Sequence, residues 1–407
     1  MRGIKMEKHI VRGTPYFPEV SNNINTYPPL QGNISTEVVI VGGGITGALC
    51  AYYFAKHSIK TTLIEKSKIS LGSTSITTSL LQYELDELIQ DLEKNFDLSH
   101  IIKGYKFGEK CLNELDNLIN ELKIDCDYRI RDCLLYTNDK SKINKLKYEY
   151  NIRKENGFEV DLIETNSSGF NFSFDIETGV YAYKGGAEIN PVKLTRELVK
   201  HFVQMGGKVF EDTEIIGYKH MDKHVLLKAS NNQNITCKKV IVATGCDIST
   251  FTNEKFSTLY TTYNIVTSPI EDLTGWDNRC FIRTTESAFS YLRTTFDNRI
   301  IMGGEDTRFI PEVLENVIAE FQYNKLIEKL NKMFPQLNFS VNYKYNGIFG
   351  VAKDNLPYIG PDMHNKNIWY CYGANSFLYA VYGAKMLSDL YLGNFDNNFR
   401  LVSLNRD

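Results

Sequence analysis

The sequence lacks the features of several large classes of protein. None of its 8 cysteines forms a CxxC pair, so neither a zinc ribbon nor a redox dithiol is indicated. No apolar run approaches the roughly 18 residues that span a bilayer, and the first 36 residues have no apolar core of a signal peptide. A net charge of −3 gives no basic surface for nucleic acid. We therefore expect a cytoplasmic protein with reduced, buried thiols.

No set of metal ligands is indicated either. His220 and His224 have the i, i+4 spacing of a metal pair, but the alternating residues around them predict a hairpin on the surface. The chain does have the composition of an ordinary globular enzyme, with 43% hydrophobic and 23% charged residues. Its 407 residues are too many for one compact core and suggest two domains.

The most informative stretch covers residues 37–65. It opens with four consecutive apolar residues, which suit a buried strand. A GxGxxG motif with Gly42, Gly44 and Gly47 follows, and a helical pattern begins after it. A second short strand ends on Glu65, 18 positions beyond Gly47. Strand, turn, helix, strand and acid therefore come in the order of a dinucleotide-binding unit.

Each glycine of this motif has a physical role in such a unit. Gly42 allows a tight turn, Gly44 lets the backbone approach a pyrophosphate, and Gly47 lets the helix and strand pack closely. The helix N-terminus offers N–H groups to the phosphates. Glu65 can accept hydrogen bonds from a ribose and would repel a 2′-phosphate. The unit is expected to bind FAD or NAD rather than NADP, with a purely structural glycine turn as the alternative.

Four further segments indicate how the chain is organised. Leu80 and the residues after it predict an amphipathic helix that follows a Ser/Thr-rich segment. Residues 185–211 predict a second strand–helix–strand element of the nucleotide domain. The strand at residues 239–245 should end at the same crevice as the glycine loop, because ligands bind at the carboxyl ends of parallel strands. Alternating residues over 258–310 predict antiparallel strands of a second domain.

Four motifs in fixed order, GGGITG, GGAEINP, VIVATG and DNLPYIG, make the chain resemble the D-amino-acid oxidase, glycine oxidase and sarcosine oxidase superfamily of FAD flavoproteins. The likeness covers about residues 36–393. It implies an α/β fold in which a discontinuous, Rossmann-like FAD-binding domain comprises residues 37–99, 185–250 and 345–407. An N-terminal extension, residues 1–36, precedes it. The interleaved α+β substrate domain, residues 100–184 and 251–344, would be built on a mixed or antiparallel sheet.

The resemblance also implies which residues bind FAD. The glycine loop would meet the pyrophosphate, Glu65 the ribose, and the backbone of Ile215 the adenine. The loop over residues 374–378 would lie along the pyrimidine edge of the flavin. The expected cofactor-binding residues are Gly42, Gly44, Ile45, Thr46, Gly47, Glu65, Lys66, Ser73, Thr74, Thr77, Thr78, Ser79, Leu80, Ile215, Ala243, Thr244, Gly245, Ala374, Asn375, Ser376, Phe377 and Leu378.

Departures from the family pattern bear on the substrate and on the cofactor. Phe349 stands where amino-acid-oxidising members have an arginine for the substrate carboxylate, and Ala374 and Leu378 stand where a second basic residue is expected. An unpaired carboxylate in a dry pocket costs several kcal/mol, so glycine and sarcosine are disfavoured unless Arg293 takes this role. Gly347 replaces the cysteine that attaches FAD in some sarcosine oxidases, which implies non-covalent FAD.

We therefore expect an FAD-dependent oxidoreductase that takes a hydride from the C–N bond of a small amine or amino acid, with oxygen or another acceptor receiving the electrons. Arg293, Tyr291, Tyr263 and Phe349 are expected to line the substrate pocket, with ordinary sheet packing as the alternative for the tyrosines. Three other functions stay open. They are a 2-hydroxy-acid dehydrogenase, a flavin electron-transfer subunit of a larger complex, and a tRNA-modifying flavoenzyme. The net negative charge of the chain argues against the last of these, because RNA binding favours a basic surface.

Overall fold

The computed structural model describes residues 11–21, 25–165, 167–286, 289–310, 315–374 and 376–406. Two sheets organise these residues. The strands are β1 (Val11–Gly13), β2 (Ile34–Val41), β3 (Thr61–Ile64), β4 (Leu80–Gln82), β5 (Arg129–Thr137), β6 (Val160–Glu164), β7 (Thr178–Glu188), β8 (Lys208–Phe210), β9 (Ile215–His220), β10 (Val225–Ala229), β11 (Asn234–Val242), β12 (Thr258–Thr267), β13 (Phe281–Thr284), β14 (Ser290–Thr294), β15 (Ile300–Arg308), β16 (Val341–Val351), β17 (Tyr358–Pro361) and β18 (Ile368–Tyr372). The helices are α1 (Tyr16–Glu19), α2 (Ile45–Lys56), α3 (Ile89–Leu92), α4 (Leu98–Leu122), α5 (Ile143–Glu155), α6 (Pro191–Gln204), α7 (Glu315–Met333), α8 (Leu378–Tyr391) and α9 (Phe399–Val402).

The smaller sheet carries the predicted dinucleotide-binding unit. Its strand order is β17-β18-β11-β2-β3-β8, with β10 and β9 added beside β11. Strands β18, β11, β2, β3 and β8 run parallel. In β2, Val38 and Ile40 enter the core shared with α2, whereas Val39 and Val41 enter the core beside β9 and β10. Because this strand is buried on both faces, its sequence is a continuous apolar run without alternation.

The larger sheet forms the second half of the fold. Its order is β1-β16-β12-β15-β14-β13-β5-β7-β4, with β6 paired to β7. The sheet is mixed, since β13 runs parallel to β5 and antiparallel to β14. Helix α7 packs on one face, where its Leu326 and Leu330 join a core that includes Ile265 and Met302. The expected α/β fold with a second, mixed sheet is confirmed.

Two expectations about individual elements are wrong. The helix expected from Leu80 is replaced by β4, in which Leu80 pairs with Glu188 of β7, and the chain becomes helical again only at α3. Just before β4, Ser79 has a φ of 55°, so the backbone does not enter a right-handed helix there. The strand before α6 is β7, which pairs with β5 in the larger sheet. Of the two strands in the expected strand–helix–strand element, β8 lies in the smaller sheet, which carries the dinucleotide-binding unit, whereas β7 lies in the larger sheet.

The expected domain division remains a prediction, and several strand pairings run across its bounds. β4 and the end of β7 fall within residues 37–99 and 185–250, the expected FAD-binding segments, but they pair in the larger sheet. β16 crosses the expected boundary at residue 345 because its whole length pairs with β12. The N-terminal segment adds β1 to the edge of the same sheet, where Val11 pairs with Gly347.

The histidines and cysteines lie where the sequence places them. His220 ends β9 and His224 precedes β10, so both flank the predicted hairpin. The cysteines are free thiols, and all except Cys246 are buried. Within the described ranges, no group of three or more His, Cys, Asp or Glu side chains could hold a metal ion. The helices of the same ranges include none that is long and apolar enough to cross a membrane.

Candidate functional site

A cavity of about 340 Å³ lies between the two sheets. It begins at the glycine loop after β2 and ends against the larger sheet. Strands β2 and β11 are parallel neighbours, with Val242 beside Val41, so their carboxyl ends open on the same space. Ala243, Thr244 and Gly245 line the cavity together with Gly42, which confirms that expectation.

The glycine loop has no room for side chains at two positions. Gly42 has a φ of +112°, and a Cβ there would lie 2.3 Å from the Ala243 carbonyl oxygen. A Cβ on Gly47 would lie 1.8 Å from the Gly42 carbonyl oxygen, so the first turn of α2 packs directly on the loop. The Ile45 amide donates to Thr74 Oγ1 at 3.0 Å. The other amides of this first turn have no partner within the helix and, with the helix dipole, suit a phosphate group.

Glu65 lies at the end of β3 on the wall of the cavity. Its carboxylate accepts hydrogen bonds from the Gly43 amide at 2.6 Å and from the Ser67 amide at 2.8 Å. These bonds fix the side chain and leave further lone pairs for the hydroxyls of a ribose. Nearby, Thr244 Oγ1 is buried and has no hydrogen-bond partner among the described residues. A buried polar atom of this kind is satisfied when a ligand binds.

Most of the residues expected to bind a cofactor line this cavity. They are Gly42, Gly44, Ile45, Thr46, Glu65, Lys66, Ser73, Thr74, Thr77, Thr78, Leu80, Ile215, Ala243, Thr244, Gly245, Ala374, Ser376 and Phe377. Ser79 and Leu378 are buried away from it, and Gly47 supports the loop from behind. Asn375 lies outside the described residues. The binding role of each of these residues remains a prediction.

The far end of the cavity lies against one face of the larger sheet. Thr262 and Asn264 of β12, Tyr291 of β14, Asp306 of β15 and Phe349 of β16 line it. The Thr262 and Tyr291 hydroxyl oxygens are 2.6 Å apart, which is hydrogen-bonding distance. Burial raises the pKa of Tyr291, and the negative charge of Asp306 acts in the same direction. The Tyr291 phenol therefore stays protonated.

Asn264 is fully buried at this end of the cavity. Neither its Oδ1 nor its Nδ2 has a hydrogen-bond partner among the described residues. Gly303 lies between Asn264 and Tyr291 in the sheet. A Cβ on Gly303 would lie 2.5 Å from Asn264 Oδ1 and 2.3 Å from the Tyr291 ring. Glycine at this position therefore lets the amide and the ring approach each other above the strand.

Asp306 is a carboxyl group of the site whose pKa lies far above its ordinary value. Both of its carboxylate oxygens are buried, and in the part of the chain that the structure describes neither makes a hydrogen bond of good geometry, although the Thr262 hydroxyl lies near enough to act on them. Burial raises its pKa to about 7; the Thr262 hydroxyl opposes this shift, and the charges of Asp86 and Glu305 add to it. A carboxyl group with this pKa can take up or release a proton near neutral pH.

Arg283 of β13 is the cation at this end of the cavity, and its charge is already matched. Its Nη2 donates to the Glu84 carboxylate at 2.9 Å, and its Nη1 donates to the Leu85 carbonyl oxygen at 2.9 Å. Glu84 also accepts from the fully buried Arg153 at 2.7 Å. Burial alone would raise the pKa of Glu84, but the charges of Arg153 and Arg283 hold it below its ordinary value. Glu84 therefore remains a carboxylate that neutralises Arg283.

Two of the four residues expected to line the substrate pocket do not line it. Tyr263 faces the opposite side of β12, where its ring packs against Tyr323 of α7, because consecutive strand residues point to opposite faces. Arg293 is 3% exposed and donates to the carbonyl oxygens of Thr78 at 2.6 Å and Ile189 at 3.0 Å. It supports the Thr78 segment from behind, so the expectation that it offers a cation to a substrate is wrong.

Sequence reasoning missed Thr262, Asn264, Arg283 and Asp306. The alternation along β12 contains the signal for the first two, since Thr262 and Asn264 share one face of a strand and Tyr263 takes the other. Which face meets the cavity depends on strands distant in sequence. No local pattern identifies Arg283 or Asp306.

Comparison with known proteins agrees with this geometry. The family model described as "DAO: FAD dependent oxidoreductase" matches residues 37–390. Gamma-glutamylputrescine oxidoreductase of Escherichia coli (strain K12) is 25% identical over 371 residues, which cover 88% of this chain and 83% of that protein. The putative Rieske 2Fe-2S iron-sulfur protein YhfW of Bacillus subtilis (strain 168) is 25% identical over 229 residues, and these cover 55% of this chain but 43% of that relative. The structure of glycine oxidase from Geobacillus kaustophilus superposes with a TM-score of 0.76 at 16% identity, covering 92% of this chain and 99% of that chain.

Proposed function

The chain belongs to the DAO family of FAD-dependent oxidoreductases, and on that premise we propose that it oxidises the C–N bond of a small amine by hydride transfer to FAD. The observation that carries the proposal is that one cavity joins a dinucleotide-binding loop to a buried polar end. This layout lets the cofactor and a small molecule meet out of contact with water.

The residues along the cavity fit FAD. The loop at Gly42 approaches a ligand without side chains in the way, and the N-terminus of α2 favours the negative charge of a pyrophosphate. Glu65 is fixed by backbone amides where a ribose can reach it, and Thr244 Oγ1 offers a hydroxyl that has no partner among the described residues. This region lies at the edge of the smaller sheet and the polar end lies on the larger sheet, so the flavin would occupy the part of the cavity between them.

The chemistry divides between cofactor and protein. FAD supplies the acceptor for the hydride when it is bound. The residues of the larger sheet would hold the amine, exclude water and accept its proton, since a neutral amine releases a hydride more readily than an ammonium ion. Phe349 contributes an apolar wall, and the hydrogen-bonded Thr262 and Tyr291 hydroxyls are held in place by each other.

A substrate carboxylate finds little support in this cavity. Among the described lining residues, the cations are Arg283 and Lys66. Arg283 is bound to Glu84 at 2.9 Å, and Lys66 follows Glu65 at the opposite end, 3.6 Å from Asp247. Because one of these cations is already paired and the other lies at the opposite end, the cavity favours an amine over an amino acid as substrate. It also disfavours the 2-hydroxy-acid dehydrogenase, whose substrate carries a carboxylate.

The proposal is tested by anaerobic spectroscopy of the purified holoprotein. A panel of alkylamines, amino acids and 2-hydroxy acids is added in turn, and bleaching of the visible flavin absorption is followed. We expect bleaching by at least one alkylamine. Bleaching by 2-hydroxy acids alone would contradict the proposal and support the dehydrogenase.

FAD is expected to be bound without a covalent link. Cys246 is the cysteine that lines the cavity among the described residues. Although part of the residue reaches solvent, the thiol is shielded from water, and this desolvation raises its pKa to about 11. Such a thiol is almost wholly protonated near neutral pH and is a weak nucleophile. Acid precipitation should therefore release the flavin into the supernatant, and flavin that stays in the pellet would contradict this expectation.

A second candidate function is delivery of electrons to a protein partner. It is favoured by the similarity to a relative whose name describes a putative Rieske iron-sulfur protein. In that case the reduced flavin should reoxidise slowly in air and rapidly with a one-electron acceptor. Fast reoxidation by oxygen alone would favour an oxidase.

A further inference from the structure

We propose that the polar end of the cavity, formed by Asp306 and Asn264 with Thr262 and Tyr291 beside them, is a binding site for the ammonium group of the substrate. The substrate class is then a cationic aliphatic amine that lacks a carboxylate. This inference rests on the proposed amine oxidation and names the substrate class of the same site.

Two independent observations point to a ligand here. Asp306 places a carboxylate on the wall of the cavity with both oxygens buried, and among the described residues the Thr262 hydroxyl acts on them without a hydrogen bond of good geometry. Asn264 is 0% exposed, lines the same space and also lacks a partner for its amide atoms within the described ranges. Buried polar atoms left without a partner are costly, so both side chains are suited to meet a bound group. An ammonium ion can donate to the Asp306 carboxylate and to the Asn264 amide oxygen, whereas the Asn264 Nδ2 group is itself a donor and is not met by it.

The charges around this end also select a cation. Asp86 lines the cavity and acts on Asp306, and it lies 3.4 Å from Arg283 Nη1. Glu305, the neighbour of Asp306 in β15, is paired with Lys329 and Lys325, so its charge is largely matched. Arg283 is neutralised by Glu84, and Tyr291 keeps its proton. With Arg283 paired to Glu84 and Asp86, the ionised Asp306 carboxylate is the charge that attracts an ammonium ion here, and it repels a carboxylate.

Asp306 would also act in the reaction as the acceptor of the substrate's ammonium proton. The ammonium N–H bond breaks, its proton moves to a carboxylate oxygen of Asp306, and the nitrogen keeps the electron pair. The neutral amine can then lose a hydride from its α-carbon to the flavin that the proposed function supplies. Burial raises the pKa of Asp306 to about 7 in the ligand-free site, so the carboxylate that receives the ammonium ion predominates above about this pH.

The test compares three ligands of equal chain length on the holoprotein: pentylamine, pentane-1,5-diamine and 5-aminopentanoate. Equilibrium binding is measured anaerobically by calorimetry, and flavin bleaching is recorded separately. We expect both amines to bind at least about tenfold more tightly than 5-aminopentanoate. Asp306→Asn should weaken pentylamine binding by roughly ten- to a hundredfold, the worth of a charge-assisted hydrogen bond.

A matched control keeps the comparison specific. Glu305→Gln removes one negative charge at the next position of the strand, where the side chain pairs with Lys329 at 2.7 Å and Lys325 at 3.2 Å instead of lining the cavity. It should leave pentylamine binding within about twofold of the wild type. Gly303→Ala is a second test, because its methyl group would crowd the Asn264 amide, and it should weaken pentylamine binding in a protein that retains FAD absorption.

The outcomes separate this site from the proposed function. Binding of pentylamine that depends on Asp306 but gives no bleaching would support the site and contradict amine oxidation. Tighter binding of 5-aminopentanoate than of pentylamine, unaffected by Asp306→Asn, would overturn the site even if the flavin is bleached. Equal effects of Asp306→Asn and Glu305→Gln would overturn it as well.

Discussion

The Asp306→Asn substitution should stabilise the protein, and the gain should depend on pH. The pKa of this carboxyl is raised from 3.8 to about 7, so between these values the folded protein holds a proton that the unfolded chain releases. Stability of the wild type therefore falls as pH rises from about 4 to about 7 and then levels off. At 1.36 kcal/mol per pKa unit, the full penalty is about 4 kcal/mol. Asparagine has nearly the same shape and does not ionise.

Urea unfolding of the FAD-saturated wild type and variant, at pH 5 and at pH 8, measures this effect. The variant should exceed the wild type by about 2 kcal/mol at pH 5, where part of the penalty is already present, and by about 4 kcal/mol at pH 8. Glu305→Gln is the control, and it should be destabilised at both pH values because it loses its pairs with Lys325 and Lys329. A difference between Asp306→Asn and wild type that is the same at both pH values would refute the reasoning.

Three further predictions follow from other parts of the site. Gly47→Ala places a methyl group 1.8 Å from a carbonyl oxygen of the loop, so this variant should lose FAD on gel filtration. Gly217→Ala is the control: its methyl group would have no atom within 4 Å, and this variant should keep its FAD. Arg153→Met leaves the buried Glu84 with one cation fewer, so the free energy of unfolding in urea should fall by about 3–5 kcal/mol. An unchanged free energy of unfolding would contradict a stabilising role for the Arg153–Glu84 pair. Cys246→Ser should leave the acid-extractable flavin unchanged, and a newly extractable flavin would reveal a covalent link.

The nucleotide-binding half could be predicted from the sequence because its signals are local. In β2, α2 and β3, the apolar run, the glycine spacing and the acid at Glu65 all fall within residues 37–65. Physical constraints act between neighbours there, as the contact between Gly47 and Gly42 illustrates. The carboxyl-end rule then placed Ala243 and Gly245 at the same cavity without any knowledge of the rest of the fold.

The substrate end could not be predicted because it depends on pairings between distant strands. The leucines after Leu80 have helical spacing, but pairing of β4 with β7 prevails over that local pattern. A strand pattern alone does not say which face of β12 meets the cavity, so it does not exclude Tyr263 and does not identify Asn264. The position of Asp306 depends on a local irregularity, since Gly304 and Glu305 have φ values of 138° and 54° just before it.

The measurement that tests the central claim most directly is the anaerobic visible spectrum of the holoprotein before and after addition of pentylamine. The account predicts a flavin spectrum that bleaches with the amine and faster above pH 7 than below it. A protein that binds FAD but is not bleached by pentylamine, pentane-1,5-diamine or any other alkylamine at either pH would contradict the proposed amine oxidation.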